Sequence, residues 1–104
     1  MSARSLKILI SDDHELVRDG LKHILLDSGI ANRVGEACNA QQSMDAVRRE
    51  KWDLVILDLN LGGRSGLEVL KEIKGEFPSL PVLVLSIYPE EQFALRVIRA
   101  GACG

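Results

Sequence analysis

No run of apolar residues in this chain approaches the roughly 18 that a membrane-spanning helix needs, and the opening stretch MSARSLKILI is too short of apolar residues to be a signal core. A cytoplasmic protein is expected. Cysteine is nearly absent: Cys38 and Cys103 lie far apart without metal-ligand spacing, which argues against a disulfide framework or a thiolate metal centre and for a reducing compartment. There is no excess of basic charge either. Thirteen Lys and Arg against 15 Asp and Glu give a net charge of -2, so the surface of this chain is not one that seeks phosphate backbones or anionic membranes, and a nucleic-acid role would need another domain. Internal repeats, low-complexity tracts and linkers are also missing. What is left is 104 residues, 46% hydrophobic and 27% charged, the makeup of one globular domain. A chain of this size buries somewhat over about 60% of its unfolded surface.

Two apolar patterns alternate along it. Leu6 to Ile10, Asp53 to Leu57 and Pro81 to Leu85 are short, continuous runs rich in Ile, Val and Leu, expected of strands covered on both faces, and NRVGEAC is a weaker strand candidate. Between them apolar residues recur at helical spacing: Val17, Leu21, Ile24 and Leu25; Ala40, Met44 and Val47; Leu70, Ile73 and Phe77; Phe93, Val97 and Ile98. DSG at Asp27 to Gly29, FPSLP at Phe77 to Pro81, and Gly101 fall where helices should stop, and Pro89 suits the first turn of the last one. The reading is β-α-β-α-β-α-β-α. Strands joined by single helices run parallel with right-handed crossovers, which gives a doubly wound sheet with its ligand site beyond the carboxyl ends of the strands.

Asp12, Asp13, Asp58 and Ser86 all sit at such ends. If the first and third apolar strands are neighbours, three carboxylates converge, and two like charges about 4 Å apart repel by about 4 kcal/mol at an effective dielectric of 20. A bound cation is the natural remedy. An all-oxygen cluster with no nearby histidine or thiolate pair, as expected here, suits a hard ion, and Mg²⁺, which keeps several waters and takes few carboxylates, fits better than zinc. The competing account is that Asp12 and Asp13 cap the helix beginning near Glu15. That account leaves out Asp58, which precedes a loop of some seven residues. His14 and His23 are expected to be surface or capping residues, and RREK at Arg48 to Lys51 a solvated helix end whose positive charge complements the carbonyl pole. Tyr88 and Phe93 are candidates for a partner-binding face, with helix packing an equal account of Phe93.

The segments ILISDDHELVRDGLKHIL, VILDLNLGGRSGLEVL and PVLVLSIYPEEQFALRVIRAGACG resemble, in order and spacing, the receiver domain of two-component response regulators, most closely the NarL/FixJ (LuxR-type) subfamily. The likeness covers essentially the whole chain. It implies a flavodoxin-like sheet of strand order 2-1-3-4, and an order 2-1-3-4-5 in a full family member. It implies that Asp58 is the phosphoacceptor for a sensor histidine kinase, and that Asp13, Asp58 and the backbone carbonyl of Asn60 bind Mg²⁺ with Asp12 acting through a water. Ser86 would bond a phosphoryl oxygen. The chain would be a switch and not a turnover enzyme, with transcription regulated through a helix-turn-helix DNA-binding domain outside it.

Two departures from the family pattern carry expectations. Leu61-Gly62 replaces the usual Met-Pro, so the loop after Asp58, with Gly62, Gly63 and Gly66, is expected to be less restrained. The resemblance stops at GACG, before the family's aromatic switch residue and lysine, so residues 1-104 are expected to be a receiver truncated before its last strand and helix. The PVLVLSI strand would then be an exposed edge open to homodimer pairing. Other functions fit less well. A stand-alone receiver acting by docking is one alternative. A Mg²⁺-dependent aspartyl phosphohydrolase would need a second acid where Asn60 stands, and a flavin binder would need a phosphate loop where SDDHE stands.

Overall fold

The computed structural model describes residues 6-61, 64-88 and 94-99. Its elements run β1 (Leu6–Ser11), α1 (Glu15–Asp27), β2 (Ala31–Ala37), α2 (Ala40–Arg49), β3 (Leu54–Asp58), β4 (Asn60–Leu61), β5 (Arg64–Ser65), α3 (Gly66–Glu76), β6 (Val82–Tyr88) and β7 (Ala94–Arg99). β2, β1, β3 and β6 are parallel neighbours in that order, the expected 2-1-3-4 sheet. The continuous apolar runs form its centre because both faces are covered. Leu9, Val55, Leu57, Val82 and Val84 pack toward α2 and α3 with Met44, Val47, Val69 and Ile73, while Ile8, Ile56 and Leu85 pack on the other side with Leu21 and Leu25 of α1. Each such fully buried side chain contributes about 1.5–3 kcal/mol.

Helix ends follow local chemistry. Asn39 and Ser65 cap α2 and α3, accepting hydrogen bonds from the backbone N–H of Gln42 and Leu67. α1 closes at Ser28, and Gly29 follows with φ +80°, a left-handed conformation that glycine adopts without a Cβ penalty. α1 itself buries no residue completely, and Leu16 and Ile24 are 86% and 62% exposed on its outer face.

Two expectations are overturned. The segment expected as a last helix on Phe93, Val97 and Ile98 forms β7 over residues 94-99, antiparallel to β6 with Val84 opposite Ile98 and Leu85 opposite Val97. Unpaired N–H and C=O groups along β6 are satisfied by this pairing, and the β-branched Val97 and Ile98 suit a strand. For the same reason β6 is not the open edge expected to take up a second copy; β7 of the same chain occupies it. The described ends of the loop after Asp58 are held in place. Asn60 pairs with Ser65 and Leu61 with Arg64, the N–H of Gly66 bonds the carbonyl of Leu59 at 2.6 Å, and Leu61 is buried in the core. Pro89, Phe93 and Gly101, along with Gly62, Gly63 and Cys103, lie outside the described residues, as does the side chain of Tyr88.

Candidate functional site at the carboxyl ends of β1 and β3

β1 and β3 lie side by side with Ser11 opposite Leu57, so Asp12 and Asp58 leave the sheet at the same level. The neighbouring register sets Asp58 opposite Leu85 of β6. Ser86 is the next residue along that strand; its hydroxyl lies outside the described side chains, as does the side chain of Asn60, whose backbone opens β4 two residues past Asp58.

Asp12 is 2% exposed and Asp58 7%. A buried carboxylate has to be bonded or neutralised. Asp12 Oδ1 accepts the backbone N–H of His14 at 2.8 Å, an Asx turn that carries the chain from β1 into α1, and the backbone N–H of Asp12 is tied to the carbonyl of Ala37 at 3.0 Å. The guanidinium of Arg18, one turn into α1, donates to the carbonyl of Asp12 at 2.6 Å. Asp12 therefore shapes the entry to the helix without capping it: the N-cap position belongs to His14, whose side chain makes no capping bond.

His14 adds a contact that sequence reasoning did not foresee. It occupies the N-cap position and its side chain is 61% exposed, as expected of a surface residue, yet its Nδ1 stands 3.0 Å from Asp12 Oδ1, 2.9 Å from Asp13 Oδ1 and 3.8 Å from Asp58 Oδ2. The hydrogen bond to Asp12, then the charge of Asp13, raises its pKa above the ordinary histidine value against a smaller opposing effect of desolvation. A proton on this ring offsets part of the repulsion among the three carboxylates. The signal available in the sequence was its place immediately after the acidic pair, at a strand-to-helix turn where a side chain leans back over the strand ends.

Asp12, Asp13, His14 and Asp58 each offer one ligand atom, and these atoms all lie within 4.8 Å of one another. Such a set, three carboxylates and one imidazole, could hold a metal ion, and its oxygen-rich chemistry fits a hard divalent cation that completes its shell with water. Behind the carboxylates the backbone is tightly packed. A Cβ at Gly66 would run into the carbonyl of Asp58 and the Cα of Leu59, so only glycine lets α3 start this close to the end of β3.

Residues 8–104 match the family model described as Response regulator receiver domain. The chain belongs to that family. The receiver is similar over 99 residues to the response regulator GacA of Pseudomonas syringae pv. syringae (strain B728a), at 33% identity, covering 95% of this chain and 46% of GacA. It spans about half the length of the curated relatives it matches. Among solved structures, NtrX from Brucella abortus superposes with a TM-score of 0.76 at 33% identity over 88% of this chain and 20% of NtrX. The chemotaxis response regulator CheY4 of Vibrio cholerae superposes with a TM-score of 0.74 at 25% identity over 86% of this chain and 76% of CheY4. Receivers of response regulators are signalling domains of two-component systems, phosphorylated by sensor histidine kinases, and not classical enzymes. Among the described residues no helix is long and apolar enough to cross a membrane.

Proposed function

We propose that residues 1-104 act as the phosphoacceptor domain of a cytoplasmic NarL/FixJ-type regulator, in which a sensor histidine kinase transfers a phosphoryl group to Asp58 and the modified site biases the surface seen by an output domain. The observation that carries this reading is the meeting of Asp12, Asp13 and Asp58 within 4.8 Å at one end of the sheet. A carboxylate oxygen of Asp58 attacks phosphorus; the new O–P bond forms as the P–N bond to the donor imidazole breaks, and the imidazole leaves with the electron pair and takes up a proton. The product is an acyl phosphate. Asp13 and Asp58, with the backbone carbonyl of Asn60, are proposed to hold Mg²⁺ directly, and Asp12 to act through a water. When bound, the ion neutralises charge on the phosphoryl oxygens and keeps the transfer in line. Ser86 is proposed to hydrogen-bond a phosphoryl oxygen. The proposed output is a DNA-binding domain in a longer protein, supported by the regulators this chain resembles, of which the Bacillus subtilis relative is described as a transcriptional regulatory protein.

Beryllofluoride, a stable mimic of an aspartyl phosphate, tests the site without a kinase. Titration in the presence of Mg²⁺, followed by amide NMR, is expected to show saturable shifts at residues 11-14, 57-59 and 85-86. These shifts should vanish without Mg²⁺ and in Asp13→Asn. Metal-independent binding, or binding unchanged in Asp13→Asn, would overturn the assignment.

A further inference from the structure

The opposite end of the sheet holds a second opening. Where α2 runs into β3 and α3 runs into β6, residues 47-53 and 77-81 surround a cavity of about 670 Å³. Sites for small molecules typically enclose about 300–1,000 Å³. Val47, Trp52, Phe77, Leu80 and Pro81 form its apolar wall. The tryptophan is held in place before any ligand arrives: its Nε1–H donates to the carbonyl of Ala46 at 2.9 Å, its ring lies against Gly35, and Lys7 Nζ and Arg33 Cζ stand 5.4 and 5.8 Å from the ring centroid. A preformed aromatic wall avoids the ordering cost of assembling one on binding.

The charges at the mouth are unevenly matched. Glu50 is paired with Lys7 at 2.9 Å and Arg33 at 2.8 Å, Asp53 accepts the backbone N–H of Lys7 at 2.8 Å, and Arg48 is bonded to Glu76 of α3 at 2.9 Å. Arg49 and Lys51 also line the cavity, both exposed, and neither side chain has a hydrogen-bond or ion-pair partner among the described residues. The carbonyl ends of α2 and α3 face this pole, each equivalent to about half a negative charge, and Asp53 keeps its own; Arg49, Lys51 and the surplus of Lys7 and Arg33 over Glu50 still leave the mouth positive.

We infer that this cavity is a second binding site, for a small amphipathic anion whose flat apolar body packs on Phe77, Leu80 and the small exposed part of Trp52 and whose carboxylate or sulfonate is held by Arg49 and Lys51. Charge selects an anion, and the apolar wall of this open cavity selects a compact ring. The site stands apart from the phosphoacceptor: Trp52 and Asp53 precede β3 and Asp58 ends it, so roughly 17 Å of strand separates the two. Neither reading depends on the other.

The test uses 2-naphthoate as the anion and 2-naphthalenemethanol as its uncharged counterpart, each titrated into the whole chain and followed by amide NMR and by the fluorescence of the single tryptophan. Naphthoate is expected to give saturable shifts concentrated at residues 47-53 and 77-81, with the alcohol about ten-fold weaker. The double substitution Arg49→Gln, Lys51→Gln should weaken naphthoate by about ten-fold and leave the alcohol and the melting temperature unchanged. Absence of saturable shifts, shifts centred elsewhere, equal affinity for acid and alcohol, or full naphthoate affinity in the folded double variant would each overturn the inference.

Discussion

At the scale of single residues, the site is a problem of like charge solved by position. Asp12 and Asp58 are buried side by side, and the protein sets against them the backbone N–H of His14 at Asp12, the Arg18 guanidinium at the Asp12 carbonyl, and the His14 ring. The aspartates were legible in the sequence because each ends an apolar run, and a charge at the end of a buried strand has to be accounted for. The exposed, helix-start position of His14 was legible too, but the direction of its ring was not, since that is set by the turn between β1 and α1. Gly66 was legible only as a loop residue. Its close approach to the Asp58 carbonyl predicts that Gly66→Ala forces the end of β3 and the start of α3 apart, lowering stability by about 1–3 kcal/mol in a denaturant titration. The same substitution should shift the amide signals of Asp58 and Leu59. A pH effect is expected at Glu36. Burial opposes its ionisation, but hydrogen bonds from Arg18 at 3.0 Å and Lys22 at 3.2 Å outweigh that and hold the carboxyl below its ordinary value. A carboxyl lowered in the folded state contributes stability that is complete above its unfolded value of 4.5 and lost as the pH falls through the folded one. Thermal melts should therefore show the native chain losing its advantage over Glu36→Gln below about pH 4.5, by under about 1 kcal/mol because the pair is partly solvated.

At the scale of elements, the strands that were easiest to find are those covered on both faces. Leu6–Ser11, Leu54–Asp58 and the start of Val82–Tyr88 are nearly continuous apolar runs, and α2 shows itself by Met44 and Val47 on one side and Arg48 and Arg49 on the other. Ala31–Ala37 was harder to see, because it lies at the edge of the sheet and its middle, Asn32 to Glu36, holds Val34 as its one large apolar residue. Residues 94-99 were misread for a physical reason. In ALRVIR the apolar residues satisfy helical spacing and, at Leu95 and Val97, strand alternation as well; six residues are too few for periodicity to decide. The choice falls to tertiary demand, the unpaired edge of β6. Backbone chemical shifts of residues 94-99 are expected to be those of a strand, with cross-strand contacts between Val84 and Ile98 and between Leu85 and Val97. Helical shifts over this segment would contradict the antiparallel pairing. The short β4 and β5 pair was equally hidden, since two-residue strands have no pattern of their own and this one is fixed by the burial of Leu61.

At the scale of the whole molecule, the layered α/β plan followed from alternation of the two apolar periods, but the order of the strands did not. Spacing gives parallel strands; that β1 sits between β2 and β3 came from family resemblance, and it is this order that brings Asp12 and Asp13 to Asp58. The sheet thus has two chemically different ends, carboxylates where β1 and β3 finish and an aromatic cavity with spare cations where β3 and β6 begin. The central claim concerns the first of these, and intact-mass spectrometry after incubation with Mg²⁺ and a phosphorylated histidine-kinase domain addresses it most directly. One added phosphoryl group is expected, removed by hydroxylamine as an acyl phosphate should be, and absent from Asp58→Asn while Asp12→Asn and Asp13→Asn show reduced incorporation. Phosphorylation of Asp58→Asn to the same extent as the native chain, or a modification stable to hydroxylamine, would contradict the account.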